Sequence, residues 1–181
     1  MVLVAQAGRD PDGTASSDAT RPASEGGGLR VESVQDFDPG GDGSENADLT
    51  GAVVDGDPET FWRTECYRSP SLQGLKPGLG LIIELASPAS LDQLVVDTRS
   101  PGWTAGVYVA DDPGAWSEPA NHGEAAGLAP PAPDGTAAID LGGAEGRFVL
   151  LWITGFGEDP SPDCEANPYG ATITELSVVG S

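Results

Sequence analysis

The chain has 181 residues and a formal net charge of -21, from 29 acidic against 8 basic side chains. That length allows one domain with a sizeable core, and that charge repels phosphate backbones, which excludes nucleic acid as a partner. Gly (26) and Pro (16) are abundant, lysine occurs once, at Lys76, and no apolar run is long enough to span a bilayer.

Residues 1–29 hold almost no apolar side chain after Val4, too little to offset the entropy of ordering. They read as a disordered linker, and a linker implies an upstream neighbour. The opening "MVLVAQAG" lacks a basic n-region and is too short for a signal peptide; it fits the end of an upstream membrane span. Residues 30–181 form the folded domain.

From Leu29 the texture changes to short apolar runs separated by Gly, Pro, Asp and Asn. "LRVESVQDF", "GAVV", "LGLIIEL", "LDQLVVDT", "GVYVAD", "AAIDL", "RFVLLWIT" and "TITELSVVG" read as strands. No stretch has a sustained helical period with caps. About eight short strands predict an all-β antiparallel sandwich, a jelly roll, with long loops at 56–78, 111–135 and 155–171.

Between the first two runs lies "DFDPGGDGSEN", with Asp36, Asp38, Asp42, Glu45 and Asn46 among three glycines. Oxygen donors on a pliable loop suit calcium, but the spacing is not that of an EF-hand. Solvated turn formation is the alternative, because Asp and Asn favour turns for local reasons. In "AVVDGDPETFWRT", Asp-Gly and Asp-Pro make consecutive turns, and Trp62 then re-enters the core.

The loops carry Tyr67, Trp103, Trp116, Phe156 and Tyr169, aromatics suited to stacking on a sugar. Trp103 either caps the core or meets a ligand. Trp116, set among Gly and Pro, is expected at the surface. Arg63 and Arg99 could read a hydroxyl or carboxylate, although pairing with a neighbouring acid would also occupy Arg63. Cys66 and Cys164 sit in no zinc spacing. We expect one disulfide in an oxidising compartment, the alternative being two separate buried thiols. If joined, they would gather Arg63, Tyr67, Phe156 and Tyr169 at one end of the sandwich. Nucleophile-elbow, phosphate-loop and metalloprotease motifs are missing, and His122 is the only histidine. An enzyme is not expected.

"DGDPETFW", "GLGLIIELASPASLDQLVVDT", "GRFVLLWIT" and "ITELSVVG" occur in the order of a known pattern. Together they resemble discoidin, or coagulation factor 5/8 C-type, domains of the galactose-binding-like superfamily. "DPGGDGSEN", "DGDPETFWRTECY" and "GLKPGLGLIIEL" are similar to the extracytoplasmic C-terminal domain of actinobacterial MviN/MurJ-like proteins. The superfamily resemblance implies a structural calcium ion held by Asp55, Asp57, Thr60 and Glu175, with Asp36, Asp38 or Asp42 adding a ligand. The likeness to MviN/MurJ-like domains implies a non-catalytic module on the outer side of a bacterial membrane. Such a module would be monomeric and recognise a cell-wall glycan or peptidoglycan precursor through Arg63, Tyr67, Arg99, Trp103, Trp116 and Tyr169. The alternative is a protein-interaction or scaffold module that docks a cell-wall protein.

Overall fold

A computed structural model describes residues 27–72, 74–116, 123–129 and 135–181. It is an antiparallel β-sandwich with jelly-roll character, as the run of short strands predicts. Ten strands are formed: β1 (Gly27–Gly28), β2 (Val31–Phe37), β3 (Trp62–Arg63), β4 (Leu79–Thr98), β5 (Thr104–Ala110), β6 (Gly127–Leu128), β7 (Thr136–Gly155), β8 (Gly157–Glu158), β9 (Tyr169–Gly170) and β10 (Thr172–Gly180).

Two strands of 20 residues each, β4 and β7, replace four of the five expected between residues 79 and 154, the fifth forming β5. They pair along nearly their whole length and contribute to both halves of the sandwich. Leu79 to Glu84 and Phe148 to Ile153 form one half with β2 and β5, while Leu91 to Asp97 and Thr136 to Asp140 form the other with β10. The register breaks between Glu84 and Ala89, where Pro88 lacks a donor for the ladder. Arg147 spans that break, with Nε donating to the Leu85 carbonyl at 3.1 Å and Nη2 to Glu84 Oε1 at 2.6 Å. The sequence "ASPAS" therefore bends a strand instead of ending it.

The core follows from alternation. Leu79, Leu81, Ile83, Leu85 and Leu91 point inward from β4, after which Leu94 and Val96 take over. The change of parity coincides with a bulge against β10, where Gly180 pairs with Leu91 but Val179 with Gln93, because one inserted residue reverses every later side chain. Leu150 and Trp152 lie on the opposite face of β7 and form a second buried cluster with Trp116.

Two expectations need correction. "GAVV" is no strand: it ends a 3-10 segment, Ala47–Val54, entered through Asn46 in the left-handed region at φ 60°. The Leu49 N–H to Asn46 carbonyl bond (2.9 Å) and the Thr50 hydroxyl to Ala47 carbonyl bond (3.0 Å) are local. Val53 alone of the two valines is fully buried, Val54 being surface-exposed. The boundary at residue 29 is also too late, because Gly27 and Gly28 already pair with Gly180 and Val179. Residues 1–26, with the rest of the expected linker, lie outside the described residues.

Candidate functional site

The "DGDP" turn forms as its residues dictate. Asp55 Oδ1 accepts the Asp57 N–H at 2.8 Å, Asp57 Oδ1 accepts the Glu59 N–H at 2.9 Å, and Gly56 takes φ 77°. Thr60 Oγ1 then stands 3.0 and 2.9 Å from the two Asp55 carboxylate oxygens, 2.9 Å from the Asp57 carbonyl and 3.4 Å from the Ala52 carbonyl. A hydroxyl carries one proton, so most of these acceptors receive none from it. Glu175 faces the same turn from β10. Burial raises its pKa first, and the Asp55 and Asp97 charges add to this, against a hydrogen bond with the Gly56 backbone that lowers it. Asp55, Thr60 and Glu175 thus lie at one turn, whereas the Asp57 carboxylate accepts from the turn's own backbone. Among the described residues no three acidic, cysteine or histidine side chains gather at one point.

The acidic loop does not reach this turn. Asp36 Oδ2 accepts the Glu45 N–H at 2.5 Å, and Asp42 caps its own turn on the Ser44 N–H at 3.2 Å. Asp38 closes on Lys76 instead, with Nζ 2.9 Å from Oδ1, and the same Nζ is 2.5 Å from Glu45 Oε1. The side chains of Asp38 and Glu45 are each 1% exposed and that of Lys76 is 6% exposed. Gly41 lies flat against the Asp38 carboxylate, where any Cβ would collide. The assignment of Asp36, Asp38 and Asp42 to a metal at the "DGDP" turn is therefore corrected: one acid is buried on a lysine and the other two serve the backbone. Burial alone would lower the Lys76 pKa, but its contacts with Glu45 and Asp38 outweigh that and hold it raised.

Cys66 and Cys164 form the disulfide, with Cα atoms 5.3 Å apart. It draws the loops together as anticipated: Tyr67 forms a bridge with Tyr169 and stacks on Phe156 at 4.7 Å between centroids. Lys76 Nζ lies 5.3 Å from the Tyr67 ring centroid, and the Tyr67 hydroxyl donates to Glu45. Tyr67 is thus half-buried, with one face of its ring stacked on Phe156. The two loop tryptophans are corrected: both are core residues. Trp103 is 1% exposed, with Nε1 donating to Thr98 Oγ1 at 3.2 Å, and Trp116 is 2% exposed. His122 lies outside the described residues.

Tyr67, half-buried, lines a loop cleft of about 540 Å³ with Arg68 and Asn167, and Phe61 stands beside two others. A cleft of about 420 Å³ opens on one side, between Leu49, Ala52, Thr60 and Arg63, and one of about 300 Å³ on the other, beside Arg99 and Pro160. The Arg99 guanidinium lies 5.1 Å from the Phe61 centroid and donates to the Pro58 carbonyl at 2.6 Å. Arg63 bonds Asp163 at 2.8 Å and Ser161 Oγ at 3.3 Å. Period-two alternation through "TFWRT" marks Phe61 as the outward neighbour of buried Trp62, a signal that the prominence of the tryptophan hides. Asp55 and Thr60 line the first cleft, so the oxygen cluster and the aromatic share a surface. A larger groove of about 740 Å³ runs between Leu72, Leu75 and Thr154, but it has no aromatic wall.

No protein-family model matches the chain. Among solved structures, CpGH89CBM32-6 of Clostridium perfringens superposes over 82% of this chain and 93% of that one, with a TM-score of 0.51 at 14% identity. The CBM32 of AlyQ in complex with 4,5-unsaturated mannuronic acid gives 0.53 at 12% identity, covering 83% and 96%. The fold is that of the CBM32 modules. A chitobiase C-terminal domain from Bacteroides fragilis has the same CBM32-like fold, with a TM-score of 0.51 at 21% identity over 84% and 93%. The chain spans only 34% of truncated AlyQ with its CBM32 and alginate lyase domains, so this fold also occurs joined to a catalytic domain.

Proposed function

We propose that this protein is a non-catalytic glycan-binding module and that the sugar lies against Phe61. The observation that carries this reading is one partly exposed aromatic set between two clefts and flanked by Arg63 and Arg99. A pyranose needs an apolar face to stack on and donors in the plane of its hydroxyls, and Phe61 with two guanidinium groups supplies both. Two of the chain's few cations stand at this aromatic, on a protein of charge -21. That favours a sugar bearing a carboxylate, such as one from the bacterial cell wall. Asp55, Thr60 and Glu175, with the Ala52 and Asp57 carbonyls, fit a calcium ion because all are hard oxygens and two are carboxylates. The ion would fix the "DGDP" turn that positions Phe61.

The disulfide supports an extracytoplasmic location, and the chain acts there as a monomeric part of a membrane-anchored parent, as its likeness to MviN/MurJ-like domains suggests. Binding of the purified chain to insoluble peptidoglycan and to soluble uronic-acid oligosaccharides tests the reading. Retention that Phe61→Ala abolishes is the expected result; equal retention of the variant, or none by either protein, overturns it. A protein-docking module is the second reading. It is favoured by the apolar outer face where Phe37, Ile82, Tyr108 and Phe148 surround Trp116.

A further inference from the structure

We propose that Lys76 and Asp38 condense into an intramolecular isopeptide bond, with Glu45 as the proton carrier. The three side chains form a buried triad in which one ammonium meets two carboxylates. Three charges taken out of water are costly to keep, and an amide leaves only one of them. Glu45 and Asp38 are held very differently. Glu45 accepts from the Tyr67 hydroxyl through Oε1 and from the Glu65 N–H through Oε2 at 2.7 Å, so it is fixed in place. Asp38 is held by Lys76 alone: Oδ1 meets Nζ at 2.9 Å, and Oδ2, buried as well, has no hydrogen-bond partner. Such a group is rare in a folded protein and calls for a reason. An electrophile about to lose an oxygen has one: no hydrogen bond must break first.

The surroundings suit the reaction. Gly41 closes over the carboxylate, and a Cβ at Gly40 would stand 2.8 Å from the Pro77 ring carbon Cδ. The glycine pair therefore lets the backbone seal the triad. Sealing excludes the water that would otherwise favour hydrolysis, and fixed neighbours replace a bimolecular encounter.

The atoms balance without a co-reactant. Nζ passes one proton through Glu45 Oε1 to Asp38, which leaves a neutral amine beside a carboxylic acid. The amine attacks Asp38 Cγ and forms the C–N bond. Glu45 takes a second proton from nitrogen and delivers it to the departing hydroxyl. The C–O bond breaks, one water molecule leaves, and Glu45 ends as the carboxylate it was, now accepting from the amide N–H. This covalent link is independent of any glycan.

Mass spectrometry of the folded 181-residue chain tests it. The intact mass should be one water below that of the disulfide-bonded sequence. After reduction, trypsin should release residues 31–63 and 69–99 as one joined species, linked at Asp38 and Lys76. Lys76→Arg and Asp38→Ala should restore the full mass, and Glu45→Gln should leave most of the chain unlinked. Because Lys76 is the only lysine, an amine-reactive label added to the denatured wild-type chain should find no ε-amine. An unmodified mass, a labelled lysine, or a water loss that persists in Lys76→Arg overturns the proposal; the last result would signal a succinimide at an Asp-Gly step.

Discussion

Tyr67 and Phe156 stack with their ring planes 17° apart, and each spends on the other a face that a ligand could have used. The pair joins the loop of Cys66 to the loop of Cys164, and the Tyr67 hydroxyl ends on the buried Glu45 carboxylate. Loop aromatics that suit a ligand by their place in the sequence thus also serve as packing that holds the loops, whereas Phe61 stands beside two clefts.

The position of that phenol sets an alkaline limit. Burial, followed by the Glu45 hydrogen bond and the nearby carboxylates, raises the Tyr67 pKa far above its ordinary value. The folded state keeps the proton that the unfolded chain releases at about pH 10. Tyr67 therefore contributes its full stability below that pH and loses it as pH rises further. Urea midpoints measured on both sides of that pH should fall more steeply for wild type than for Tyr67→Phe.

The disulfide closes a sequence separation of 98 residues. Constraint of so long a loop in the unfolded chain is worth about 2–5 kcal/mol. Denaturant titration with and without reductant, or of the Cys66→Ala/Cys164→Ala double variant, should show a loss of that size with little change in the folded spectrum.

Phe61→Ala should separate binding from folding. The side chain is only partly buried, so its loss should cost the fold about 1 kcal/mol or less. As the central aromatic of a small site it should cost binding about 1–3 kcal/mol. Calorimetry with a uronic-acid oligosaccharide reads the second value, and thermal unfolding reads the first.

Calcium should raise the unfolding midpoint, by about 2.7 kcal/mol of added stability at a hundred times the dissociation constant. Asp55→Asn and Glu175→Gln should remove the shift. Asp38→Asn should retain it, because Asp38 lies with Lys76. A shift that disappears only with Asp38 would move the ion to the acidic loop.

The sandwich was readable because alternation and turn residues are local: "DGDP" turns as its own side chains dictate, and "LGLIIEL" buries alternate residues. What was hidden is whatever depends on distant partners. Lys76 meets Glu45 across 31 positions, and no spacing rule links them. Trp116 reads as exposed beside Gly and Pro, but Leu150 and Trp152 arrive from β7 to cover it. "GAVV" has strand composition but ends a 3-10 segment, so propensity gave way to context.

The unbroken course of β4 and β7 has a dynamic consequence. A sandwich of two separate sheets could lose one and keep the other, but here the same two backbones belong to both halves. Opening either half strips hydrogen bonds from a strand the other needs, so partial unfolding has no natural boundary. Amide hydrogens of β4 and β7 should then exchange last and together, at the rate of global unfolding, with β1 and β6 exchanging long before them.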